Sequence, residues 1–160
     1  MTADMETRLR AVEDEAAIFR LAAHFSDVIN ERDVEAFVRL WANEGTVWQI
    51  GAPFPATAEG KDSIKVLLES LFKIERYFMQ MTHTGVVTLD GNRATARFVM
   101  REHGRGDGSY YDNLAVYNDE LAREEEGWRF VKRVYSYRFV NRKPLDEMAF
   151  EVRRSALFSS

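Results

Sequence analysis

Histidine is the side chain best matched to moving protons near neutral pH, and this 160-residue chain has three histidines and no cysteine. His83 stands in MQMTHTGVVTL (79–89), which otherwise reads as a half-buried strand, with Gly85, Val87 and Leu89 on the histidine's face. His103 lies near the end of the next strand-like run and shares a face with Val99 and Arg101. If those faces line one cavity, two imidazoles and a guanidinium converge there, which is equipment for general acid–base work. The same pattern also fits hydrogen-bonded structural histidines. Metal ligation lacks its usual spacing: there is no HxH, no HExxH and no cysteine, so no metal is expected. The glycines of GRGDGS (104–109) join two strands rather than open a helix, unlike a phosphate-binding loop. Trp41, Trp48, Tyr111, Tyr117 and Tyr135 are aromatic residues of either a core or an apolar ligand cavity.

Those residues must be positioned by a single unit. The length suits one domain over 1–160, with a core from about 6 to 140 and a tail at 141–160. Apolar residues make up 46% and charged residues 30%, the composition of a globular chain rather than a disordered one. A net charge of −4 with interleaved signs gives no basic footprint, so neither nucleic acid nor a membrane is an expected partner. The first residues lack an apolar leader core and no run is long enough to span a bilayer, so a cytoplasmic location is expected.

The first half has helical periodicity. Leu9, Val12, Ala16, Phe19, Ala22, Ala23, Phe25, Val28 and Ile29 form a stripe from about Glu6 to Asn30. Asp33 can cap a short second helix, VEAFVRLW, TVWQI reads as a strand, and Pro53 and Pro55 mark a loop. After Gly60, Ile64, Leu67, Leu68 and Leu71 define a third helix. From Tyr77 the period becomes two, predicting strands at 77–89, 93–103, 110–123 and 128–140, with DGN (90–92) and EEEG (124–127) as hairpin turns. The tail after Asn141 reads as a strand exit with a short helix. Helices followed by an antiparallel meander predict an α+β fold with helices on one sheet face. Both faces of 110–123 are apolar or aromatic, Tyr111, Ala115 and Tyr117 on one and Tyr110, Leu114 and Val116 on the other. A homodimer or higher oligomer through the outer face is the expectation.

Three segments, HFSDVINERDVEAFVRLWANEGTVW, THTGVVTLDGNRATARF and YYDNLAVYNDELAREEEGWRFVKR, resemble the SnoaL-like branch of the nuclear transport factor 2-like superfamily. The resemblance implies a cone-shaped barrel: a strongly curved mixed or antiparallel sheet wrapped around three N-terminal helices, with an internal pocket. Its members include scytalone dehydratase, hexachlorocyclohexane dehydrochlorinase, ketosteroid isomerase, polyketide cyclases and ring-hydroxylating dioxygenase β-subunits. By that resemblance His83 falls on a catalytic histidine, His103 on a second pocket histidine, Arg133 on a pocket arginine and Tyr117 near a polar pocket position. Asn30 stands where the lyases keep an aspartate and Phe25 where the dehydrochlorinase has a lysine. Asp27, one turn before Asn30, is a candidate substitute for that carboxylate. The implied function is a cofactor-independent lyase or isomerase of dehydratase type, acting on a cyclic or aromatic oxygenated molecule. His83, Asn30, Asp27 and His103 would be catalytic, and Arg133, Tyr117, Phe25, Trp48, Tyr135 and Arg101 would bind substrate. The alternative is a noncatalytic small-molecule binder or a structural subunit like the dioxygenase β-chains.

Overall fold

The computed structural model describes residues 2–106 and 108–144. Three helices, α1 (Thr2–Asn30), α2 (Val34–Arg39) and α3 (Lys61–Ile74), accompany one sheet. Its strands are β1 (Val47–Ile50), β2 (Ala56–Glu59), β3 (Glu75–Asp90), β4 (Arg93–Gly106), β5 (Ser109–Glu124) and β6 (Gly127–Pro144). The order is β2-β1-β6-β5-β4-β3. All neighbours are antiparallel except β1, which runs parallel to β6 with Val47 opposite Lys132. The α+β class and the mixed sheet agree with expectation, but the sheet does not close into a barrel. Its two edges, β2 and β3, both contact α3, the helix that connects them in the chain. The sequence tail beyond residue 144, with its expected short helix, lies outside the described residues. No helix among the described residues is long and apolar enough to cross a membrane.

Ile18, Leu21, Ala22, Phe25, Val28 and Ile29 of α1 recur at helical spacing and are buried against the concave sheet face. The apolar stripe does not stay buried throughout, because Met5, Leu9 and Val12 are exposed. A 29-residue helix is about 43 Å long and overreaches the sheet it packs on. Asp14 marks where contact begins: it accepts a hydrogen bond from Trp128 Nε1 at 3.0 Å and pairs with Arg123. At the next helix, the Asp33 carboxylate accepts from the Ala36 N–H at 2.8 Å, the cap its position predicts.

The meander strands run longer than the sequence suggests, while β2 was hidden behind Pro53 and Pro55. Gly91 adopts φ +58° in the β3–β4 hairpin, the conformation its turn requires. Three irregularities decide which residues face inward. In β3, Thr82 pairs with Met100 and Gly85 with Phe98, so His83 and Thr84 together oppose Val99. This bulge re-phases the strand, as an inserted residue must. Gln80 and Thr82 turn inward before it, Gly85, Val87 and Leu89 after it, and His83 and Thr84 are left exposed. The expected face-sharing of His83 with Gly85, Val87 and Leu89 is thereby corrected. Further register shifts in the β5–β6 pairing leave Val131 and Arg138 unmatched.

Candidate active site

A cavity of about 340 Å³ opens between the concave sheet face, α3, the end of α1 and the β1–β2 hairpin. Its helical wall is apolar: Ile29, Leu68, Leu71 and Phe72. Trp48, Ile50, Phe54 and Ala56 come from the hairpin. The sheet supplies successive cross-strand rows. Tyr135 of β6 pairs with Tyr117 of β5, and Tyr137 with Ala115. After the Arg138 irregularity, Val140, Asn113, Glu102 and Gln80 form one row and Arg142, Tyr111, Gly104 and Phe78 the next. Alternation along each strand brings these side chains to one face. Gly104 leaves the space that Tyr111 uses, since a Cβ there would stand 2.0 Å from the phenol ring.

Glu102 is the unusual group of this wall. It continues the inward series Ala94, Ala96, Phe98 and Met100, and its residue is 6% exposed. Burial raises its carboxyl above the ordinary 4.5, opposed by the neighbouring polar groups of Tyr135, Gln80 and Asn113, which favour the anion. Gln80 Nε2 donates to Glu102 Oε1 at 2.7 Å. The Tyr135 hydroxyl faces the same carboxyl from β6 and is buried outside hydrogen-bond distance of any partner. Burial foremost raises the Tyr135 phenol, with the Glu102 charge adding to it. Tyr117, also raised by burial, accepts from Trp48 Nε1 at 3.3 Å, which leaves its own proton for a ligand oxygen.

Behind Gln80 the hydrogen bonds continue into α1. Ser26 Oγ donates to Gln80 Oε1 at 3.1 Å and lies 2.6 Å from Thr82 Oγ1, which donates to the Ala22 carbonyl at 3.1 Å. Three contacts here share two hydroxyl protons, so one is always short. Turning the Gln80 amide over and protonating Glu102 removes the shortage. The carboxyl then donates to Oε1, Nε2 to Ser26, Ser26 to Thr82 and Thr82 to the carbonyl. In that arrangement the proton count runs in the same direction as the upward shift that burial gives Glu102.

The residues singled out from the sequence are distributed differently. Trp48, Tyr117 and Tyr135 line the cavity. Asn30 stands beside it as a backbone clasp: Nδ2 donates to the Gln80 carbonyl at 2.8 Å and the Gln80 N–H donates to Oδ1 at 2.7 Å. Its amide replaces a strand partner for the edge of β3. Asp27 is exposed on α1, 3.9 Å from His24 Nδ1. His83 is exposed at the bulge. His103 and Arg101 lie on the outer sheet face, where alternation puts odd-numbered residues of β4. There Arg101 holds Asp112 through contacts of 3.2 and 3.1 Å, while His103 Nδ1 lies 2.6 Å from the Tyr110 hydroxyl. The Arg101 hydrogen bond holds the Asp112 carboxyl below its ordinary value. The expected convergence of His83, His103 and Arg101 is thus not formed.

Arg133 is wholly buried beneath the cavity floor, bound by Asp119 at 2.8 and 3.0 Å. Its guanidinium carbon stands 3.9–4.0 Å from the ring centres of Phe25, Tyr117 and Phe130. Phe25 lies in this aromatic core, 5.5 Å from Tyr117, and does not line the cavity. Glu102, Gln80, Asn113 and Arg142 were missed as site residues. The signal for Glu102 was present in RATARFVMRE (93–102), where its even-numbered face is the more apolar one. A carboxylate closing an Ala-Ala-Phe-Met series needs a reason to be there. Among the described residues, no group of three or more His, Cys, Asp or Glu side chains could hold a metal ion.

Comparison with known proteins follows the same outline. The profile of the SnoaL-like domain matches residues 10–134. No curated protein matches the sequence. Hexachlorocyclohexane dehydrochlorinase LinA type 2 superposes with a TM-score of 0.79 at 17% identity, over 91% of this chain and 97% of that one. A protein of Novosphingobium aromaticivorans DSM 12444 provisionally assigned as a scytalone dehydratase gives 0.70 at 17%, over 100% and 99%. An NTF2-like protein with a cystatin-like fold, from Novosphingobium aromaticivorans DSM, gives 0.72 at 25%, over 85% and 89%.

Proposed function

Starting from a chain that belongs to the SnoaL-like domain family, we propose that its cavity dehydrates a cyclic, oxygenated small molecule, with Glu102 as the proton-handling group. The observation that carries this reading is one buried carboxyl, raised by burial, in the wall of a cavity lined mostly by rings and aliphatic side chains. Neutral Glu102 gives its proton to a ring hydroxyl, which leaves as water when the C–O bond breaks. The carboxylate so formed takes the proton from the adjacent carbon, the C–H electrons become the new double bond, and Glu102 ends as it began. The Tyr117 hydroxyl donates to a carbonyl oxygen of the substrate, acidifying that C–H bond. Dehydrochlorinase and dehydratase neighbours share the fold, and their kind of chemistry, elimination, agrees with this reading.

The test is a panel of bicyclic β-hydroxy ketones, followed by the absorbance of the conjugated product, with wild type, E102Q and H83A. Loss of turnover by about 10²-fold or more in E102Q, with H83A unchanged, is the expected result. Turnover that survives in E102Q and disappears in H83A would return the role to the histidine. Binding without turnover in the wild type would make the protein a noncatalytic carrier.

A further inference from the structure

Among the described residues, two ionisable side chains besides the phenols line the cavity, and they occupy different depths. Glu102 is buried, whereas Arg142 is exposed where Phe54 borders the opening. The cross-strand rows containing them are adjacent, one pleat repeat or about 7 Å apart along the strands. Arg142 Nη2 donates to Ser109 Oγ at 3.0 Å and its guanidinium carbon stands 5.5 Å from the Phe54 ring centre. Among the described residues no carboxylate pairs with it, whereas Arg133, the arginine beneath the cavity floor, is bound by Asp119. Its row neighbour Tyr111 folds over Gly104 on β4, to the side away from β6.

From this arrangement we infer that the ligand is an anion: a cyclic molecule carrying a carboxylate, held with the carboxylate on Arg142 and the ring turned toward Glu102. The inference rests on the reading of the cavity as a small-molecule site and adds the substrate's charge and direction of entry. A carboxylate at the mouth keeps part of its hydration and gains a planar two-donor partner. Turned inward it would lose both in an apolar wall and would meet the negative charge that Glu102 acquires during turnover. Charge thereby fixes orientation, putting the ring carbons beside the acid and the charged group about one strand row away.

The experiment uses 2-naphthoate and 2-naphthalenemethanol, which share a ring system and differ in charge. Binding is read by quenching of tryptophan fluorescence, with W48F identifying the part of the signal that comes from the cavity. Wild type is expected to bind naphthoate about fivefold more tightly than the alcohol at low salt. R142Q should bring the two affinities together, and raised salt should erode the preference in wild type alone. Equal binding of the two probes by wild type, or a preference that persists in R142Q, would overturn the inference and leave the cavity reading standing. Failure of wild type to bind either probe would overturn both.

Discussion

Replacing Glu102 by glutamine should stabilise the protein by an amount that grows with pH. The unfolded carboxyl titrates at its ordinary value of 4.5, while burial in the folded chain raises it. Below 4.5 both states hold the proton and ionisation contributes nothing. Above it the unfolded state ionises while the folded state keeps its proton, so the folded state is progressively disfavoured until its own carboxyl ionises. This is the reverse of a salt-bridged carboxylate, whose contribution disappears on acidification. The slope for one such group reaches about 1.4 kcal/mol per pH unit. For a chain of this size that is about 3–6 °C of midpoint per unit. E102Q keeps the side-chain shape and can still hydrogen-bond to Gln80, but it has no charge to bury. Urea unfolding of both proteins between pH 4 and 8 should therefore give curves that coincide in slope at the acid end and diverge as pH rises. A constant gap across the range, or a gap that narrows with pH, would refute the assignment of Glu102 as a carboxyl held neutral by burial.

Two further substitutions test the surroundings of the site. R133M removes the partner of the buried Asp119 and should cost about 3–5 kcal/mol in urea unfolding, most of it recovered when D119L is added. N30D keeps one acceptor but loses the Nδ2 donor to the Gln80 carbonyl, leaving a carboxylate against that oxygen. It should lower stability by about 1–3 kcal/mol and give no gain in turnover, because the side chain clasps the β3 backbone rather than a histidine.

The helices, the meander and its hairpins were legible because periodicity, capping and turn residues are local. Asp33, Gly91 and the α3 stripe needed no knowledge of distant neighbours. Trp48, Tyr117 and Tyr135 were legible as large rings on inward strand positions, which left core and cavity both open. The polar site was not legible, for a reason of phase. One bulge at His83 and Thr84 separates the inward set containing Gln80 from the one containing Val87, and a bulge leaves no clear mark in the sequence. In β4 the odd-numbered face drew attention through His103 and Arg101. The even-numbered face, ending in Glu102, is the one the helices cover. Arg133 looked available as a pocket cation because nothing local reveals that Asp119, on the neighbouring strand, already binds it.

The parallel pairing of β1 with β6 also orders the assembly of the protein. The β3–β4, β4–β5 and β5–β6 pairings each close across a short turn, so the meander can form from local contacts. Pairing β1 with β6 requires closing the whole chain between Val47 and Lys132, and long closures come late in folding. During synthesis the first two helices and Trp48 emerge well before β6, the strand against which β1 must lie. The deep wall of the cavity, where Trp48 meets Tyr117 and Tyr135 stands over Glu102, is consequently completed only after the last strand arrives. Until then the cavity-forming aromatic residues are exposed on an unfinished chain, the interval in which it is most open to capture by other unfolded chains.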